Sequence, residues 1–143
     1  RRGYSPGGGQ CAALFPAMIV GVGLDVCDIA RMEALLKGGR FLGRFFAPEE
    51  QEYIENKGRG AAASMAGIFA AKEALVKALG TGFTLGEIAD ICVLHDKCGA
   101  PYYELRGACA VHAAQRNITA LHLSISHDGG VAAAVAIAER EFK

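Results

Sequence analysis

Between Gly60 and Gly86 the chain carries three charged residues, Lys72, Glu73 and Lys77, in a run otherwise dominated by alanine and larger apolar side chains. Such a run predicts a helix from about Ser64 to Leu79, stopped by Gly80. With Glu73 at the origin of a wheel of about 100° per residue, Phe69, Val76, Met65, Leu79, Ile68 and Leu75 form one apolar arc. Lys72 falls near the centre of that arc. Ala66 and Ala70 flank Glu73 and Lys77, and Ala71, Ala74 and Ala78 cover the remainder. A helix apolar on nearly all sides is normally buried on most of them. Charges on it are costly to desolvate unless they are paired or meet a ligand. Two readings therefore stand: an ordinary (i, i+4) Glu73–Lys77 pair with Lys72 snorkelling to solvent, or a polar site ringed by small side chains that admit a bulky polyanion.

A length of 143 residues favours one domain with a core of its own. Apolar residues at 52% and charged residues at 21% exclude a disordered chain. Fifteen basic residues balance fifteen acidic ones, so no general field attracts nucleic acid or an anionic membrane, and neither is an expected partner. Cys11, Cys27, Cys92, Cys98 and Cys109 are odd in number and form no CxxC pair, the usage of reduced thiols in a cytoplasmic protein. Residues 1–17 begin with two arginines followed by an uncharged stretch. Pro16 and the glycines at 7 to 9, 21 and 23 break any signal-type apolar region there. These seventeen residues are read as an extension outside the fold, and 18–143 as a single domain.

Met18 to Val26 reads as a strand, with Val20, Val22, Leu24 and Val26 on one face and Ile19, Gly21, Gly23 and Asp25 on the other. The two glycines beside Asp25 leave room for close approach by a ligand or by a packed helix. Ile29 to Lys37 is a short helix closed by Gly38 and Gly39. An aromatic-basic segment follows, with Arg40, Phe41, Arg44, Phe45 and Phe46, and then a helix over 48–56. Strands at 88–95 and 101–105, a helix near 108–116 and a hairpin of 121–127 with 131–138 complete the pattern. The expected class is α+β: a mainly antiparallel sheet with helices packed on one face.

Asp25 and Glu73 together can hold a hard divalent cation such as Mg2+, which prefers oxygen and is commonly held by one or two carboxylates plus substrate phosphates. Lys77, one turn beyond Glu73, is placed to neutralise phosphate oxygens. The Gly80-Thr81-Gly82 turn offers backbone N–H groups and a hydroxyl. His127, in Ser124-Ile125-Ser126-His127-Asp128, is read as a phosphate or leaving-group contact. A hydrolase triad is rejected because its members are adjacent in sequence and no G-x-S-x-G elbow is present. His95, His112 and His122 read as core or surface residues.

The segments Ile19-Val20-Gly21-Val22-Gly23-Leu24-Asp25-Val26 and Phe69-Ala70-Ala71-Lys72-Glu73-Ala74-Leu75-Val76-Lys77-Ala78-Leu79-Gly80-Thr81-Gly82 are specific in combination and order. With Arg31, residues 40–50, Gly99-Ala100-Pro101, 124–127 and 132–137, they span nearly all of 18–139. On these residues the chain resembles the holo-acyl-carrier-protein synthases, the small trimeric type of 4'-phosphopantetheinyl transferase.

The resemblance implies transfer of the phosphopantetheine arm of coenzyme A to a serine of apo-acyl carrier protein, with adenosine 3',5'-bisphosphate as the second product. Asp25 and Glu73 match the family's Mg2+-binding acids. Lys77 matches the lysine that stabilises the transferring phosphoryl group. Gly80, Thr81, Pro101 and His127 match positions lining the coenzyme A site, which in this family lies between protomers of a homotrimer. Either Glu73 or a metal-bound water oriented by Asp25 serves as general base. Arg31, Arg40 and Arg44 form an expected docking patch for an acidic carrier. Ile68 stands where family members usually carry arginine, which leaves one phosphate contact to Lys72 or another basic residue. The loop from Gly82 to Ile88 looks short. A non-catalytic coenzyme A or nucleotide-binding trimer is the second reading, and a metal-dependent pyrophosphate hydrolase the third.

Overall fold

The computed structural model describes residues 16–80 and 85–142. The chain runs β1 (Ala17–Asp28), α1 (Ile29–Gly38), α2 (Arg40–Phe45), α3 (Pro48–Glu55), α4 (Ala61–Leu79), β2 (Ile91–His95), β3 (Pro101–Leu105), α5 (Gly107–Gln115), β4 (Ala120–Asp128) and β5 (Val131–Glu141). Short 3-10 turns at Gly58–Gly60 and Leu85–Asp90 lie either side of α4. Two antiparallel sheets form, one in the order β1-β5-β4 and one of β2 with β3. This is the expected α+β class, and the aromatic-basic segment proves to be helical as α2. Residues 1–15 lie outside the described residues. Pro16 and Ala17 belong to the sheet, because the Pro16 carbonyl accepts the Phe142 N–H at 3.0 Å and Ala17 pairs with Glu141. Among the described residues no helix is long and apolar enough to cross a membrane.

Helix ends follow local chemistry. The Asp28 carboxylate caps α1 through the Ala30 N–H at 3.0 Å, and Gly39 closes it in the left-handed region. Pro48 opens α3, whose Glu50 carboxylate accepts the Ala47 N–H at 2.8 Å. Gly129 and Gly130, both with positive φ, make the two-residue turn between β4 and β5.

α4 lies across the three-stranded sheet on a bed of small residues. A Cβ on Gly21 would sit 1.8 Å from the Ala78 carbonyl oxygen, and one on Gly23 equally close to that of Ala74. Ala132, Ala134, Ala136 and Ala138 of β5 are buried on the same face. The glycines of β1 thus serve close approach of a helix backbone, the second of the two uses the strand pattern left open. The alternate face of β1 is turned outward: Val22, Leu24 and Val26 are 59%, 61% and 60% exposed. Paired beside them on β5 are Ile137, Val135 and Ala133.

Candidate active site

β1 carries Asp25 on the helix-facing side of the sheet, and α4 carries Glu73 and Lys77 over it. The Lys77 ammonium donates to Asp25 Oδ1 at 2.8 Å and to the Leu24 carbonyl at 3.1 Å. Lys77 is therefore tied to the strand and does not simply bridge back to Glu73 along the helix. Its side chain remains 55% exposed, whereas that of Asp25 is 19% exposed. The hydrogen bond to Asp25 holds the Lys77 ammonium above the usual lysine range.

Asp25 and Glu73 share a recess of about 330 Å³ with Val26, Cys27, Arg31 and Phe69. Burial raises the Glu73 carboxyl above its ordinary range, and the neighbouring Asp25 charge raises it further, against the opposing pull of Lys77 and Arg31. Two carboxylates that feel each other's charge beside an open recess form an all-oxygen donor set suited to a hard divalent cation. Among the described residues no group of three or more His, Cys, Asp and Glu converges on one point. A cation held at Asp25 and Glu73 would need further ligands from water or phosphate, the pattern Mg2+ favours. Burial keeps the Cys27 thiol protonated beside it.

Pro101 and His127 are not in that recess. They line a second one of about 290 Å³, with Tyr53, Lys57, Ser64, Gly67, Ile68, His95 and Gly99 among its walls. The first recess sits against β1 and the second against β4, the two outer strands of a sheet whose central strand is β5. Within one chain α4 separates them. Gly80 caps the end of α4 with positive φ, and Thr81 lies outside the described residues, as does part of the 82–88 loop.

The arginines also divide. Arg40 and Arg44 line an apolar groove of about 320 Å³ with Leu35, Phe41 and Phe45, the Arg44 guanidinium lying 5.2 Å from the Phe45 ring centre. Arg31 stands instead in the acidic recess. In β4, Ser124 and Ser126 point to the face opposite His127, so strand alternation alone rules out a serine–histidine relay there.

Lys72 departs most from expectation. It neither snorkels nor replaces the arginine missing at Ile68. Fully buried, it donates to Glu50 Oε1 at 2.7 Å, to the Ile91 carbonyl at 2.7 Å and to the Ile88 carbonyl at 3.2 Å. Basic groups that do line the Ile68 recess are Lys57, His95 and His127. His95 stacks on Tyr53 at 3.9 Å between ring centres, and burial together with Lys57 lowers its pKa. Lys57, Tyr53 and His95 carried no periodic or motif signal in the sequence, and Glu50 entered only as the end of the matching 40–50 segment. Only the fold brings them to these places.

A model of the 4'-phosphopantetheinyl transferase superfamily matches residues 21–136. The chain belongs to that superfamily. Within it, this phosphopantetheinyl transferase is an enzyme of the holo-acyl-carrier-protein synthase type. It is 45% identical over 122 residues to the holo-acyl-carrier-protein synthase of Treponema denticola, covering 85% of this chain and 99% of that one. The crystal structure of the Neisseria meningitidis holo-acyl-carrier-protein synthase superposes with a TM-score of 0.76 at 33% identity, over 85% of this chain and 98% of that one. The Helicobacter pylori synthase, solved in complex with coenzyme A, gives a TM-score of 0.69 at 36% identity, over 82% and 98%.

Proposed function

We propose that this transferase moves the 4'-phosphopantetheine group of coenzyme A to a serine of apo-acyl carrier protein, releasing adenosine 3',5'-bisphosphate. The observation that carries the reading is the meeting of Asp25 from β1 and Glu73 from α4 at one open recess, with Lys77 bonded to Asp25. The serine oxygen forms a bond to the β-phosphorus of coenzyme A. The bond from that phosphorus to the bridging diphosphate oxygen breaks, and its electron pair leaves on the nucleotide.

Little covalent work falls to the protein, so positioning and charge neutralisation dominate. Lys77 faces the phosphoryl oxygens from the helix side, with Arg31 across the recess. Glu73, a wall of the recess, is placed to accept the serine proton at a carboxylate oxygen. Asp25 and Glu73 would hold Mg2+, which supplies polarisation of the diphosphate when bound.

Pro101, His127 and Lys57 line a recess that would take the nucleotide end, with Gly80 at the far end of α4. Because α4 separates the two recesses within a chain, a complete site draws one from each of two neighbouring copies. The outward apolar face of β1 and β5, with Val22, Leu24, Val26 and Val135, supplies the contact for a homotrimer. Arg40 and Arg44, beside the Phe41–Phe45 groove, receive an acidic carrier helix, and Arg31 meets the carrier nearest the reacting serine. The enzyme works in the cytoplasm.

The test is direct. Incubated with coenzyme A, Mg2+ and apo-acyl carrier protein, the enzyme gives a carrier heavier by one phosphopantetheine and an equal amount of adenosine 3',5'-bisphosphate, both read by mass spectrometry. A competent carrier that gains no mass overturns the reading. Cleavage of coenzyme A without carrier would indicate a hydrolase instead.

A further inference from the structure

Glu50 and Lys72 are the two fully buried charged side chains among the described residues. Their bonding is saturated. Glu50 Oε1 accepts from the Ala47 N–H at 2.8 Å and from Lys72 at 2.7 Å, and its Oε2 accepts from the Val93 N–H at 3.0 Å. The three ammonium protons of Lys72 are used on Glu50, Ile88 and Ile91. The pair thus ties α4 to α3, to β2 and to the turn before β2. A buried ion pair is a weak source of stability, since apolar side chains of similar volume often serve equally well. Its value lies elsewhere.

The remaining buried residues of α4 include Ala66, Ala70, Ala71, Ala74 and Ala78 together with the larger Met65, Ile68, Leu75 and Leu79, and where the helix meets β1 the contact is made by Ala74 and Ala78. On the sheet side, where alanines seat on the glycines of β1, side chains interlock little and that contact by itself resists rotation of the helix only weakly. A saturated, directional ion pair resists it strongly. Glu73 is the next residue after Lys72. A rotation of about 10° would carry a side chain about 6 Å from the axis through about 1 Å, a misplacement that can cost about a hundredfold in rate.

We propose that the buried Lys72–Glu50 pair is a positioning device that fixes the rotation of α4 and so sets Glu73 against Asp25. The kinetic side of this rests on the transfer reaction proposed above. Lys72 and Glu50 touch no substrate and act through Glu73.

Two variants test it. Glu50→Asp keeps the charge and withdraws the carboxylate by one methylene. Glu50→Gln/Lys72→Met removes both charges, avoiding the unpaired buried ion that either single deletion leaves. In each, with cooperative melting verified by circular dichroism, kcat should fall about tenfold or more while KM for coenzyme A stays within about threefold, the signature of lost transition-state positioning. Mn2+ affinity, measured by calorimetry without carrier, should fall about tenfold because Asp25 and Glu73 no longer meet the cation together. A cooperatively folded Glu50→Asp protein with wild-type kcat and wild-type Mn2+ affinity overturns the proposal. So does a loss of kcat that merely follows the unfolded fraction as temperature is varied. Should the double variant fail to fold, Glu50→Asp decides. A wild-type protein that binds Mn2+ but transfers nothing rejects the transfer reaction, and Mn2+ affinity then still judges the pair.

Discussion

Two lysines five residues apart on α4 have opposite fates. Lys72 is sealed, with every proton given to a protein acceptor. Lys77 leans on Asp25 with half its side chain in solvent, beside a recess with room for a ligand. Side-chain chemistry is identical, so the contrast isolates the effect of surroundings. A cation whose partners are complete organises structure. One that keeps protons available beside an open, acidic recess is equipped to meet an incoming anion. Burial decides the difference, because desolvation penalises any ammonium whose bonds are not all satisfied.

The comparison can be broken most sharply at Glu73. Glu73→Gln should lower kcat for transfer by about a thousandfold, about 4 kcal/mol of transition-state stabilisation, with no loss of stability. The sign follows from its raised pKa: burial and Asp25 make the ionised carboxylate less favourable in the folded chain than in the unfolded one. Removing that charge therefore stabilises slightly near neutral pH, and the gain disappears as pH falls through the folded pKa. Thermal melts across pH 4 to about 8 check this.

Lys72→Met, which strands the Glu50 carboxylate, should cost about 3–5 kcal/mol in urea unfolding. A cost below about 1 kcal/mol would erase the distinction between the two lysines. Lys77→Ala should do the reverse: stability changes by less than about 1 kcal/mol, as for any exposed pair, while kcat drops about a hundredfold. Smallest is Arg44→Glu, which should raise the carrier KM about tenfold by placing like charge before an acidic partner, leaving kcat and coenzyme A affinity near wild type. An unchanged carrier KM removes Arg44 from the docking surface.

The alternation of β1 from Gly21 onward, the helix from the low-charge run and the β4–β5 hairpin were legible because each depends on spacing within a few residues, whereas a bulge between Ile19 and Gly21 turns Ile19 outward and Val20 onto the core against the expected faces. Asp25, Glu73 and Lys77 stood out for a related reason, as isolated charges in apolar surroundings. Glu50 did not, since a glutamate in the first turn of a helix after proline is commonplace on an exposed surface. Likewise nothing near His95 signals that Tyr53 will stack on it.

The amino-acid order by itself determined most of the helices and strands and the family to which the chain belongs, though not that Arg40–Phe45 is helical or that the strand expected from residue 88 starts at Ile91. Tertiary structure alone decided that Lys72 meets Glu50 across 22 positions, that Lys77 meets Asp25 across 52, and that α4 stands between the two recesses. It also turned the valine face of β1 outward, because the glycine face was the one on which a helix backbone could be seated. Local geometry is set by torsions of neighbouring residues. Partnership between distant charges is set by how whole elements pack, a property of their shapes that no spacing along the chain encodes.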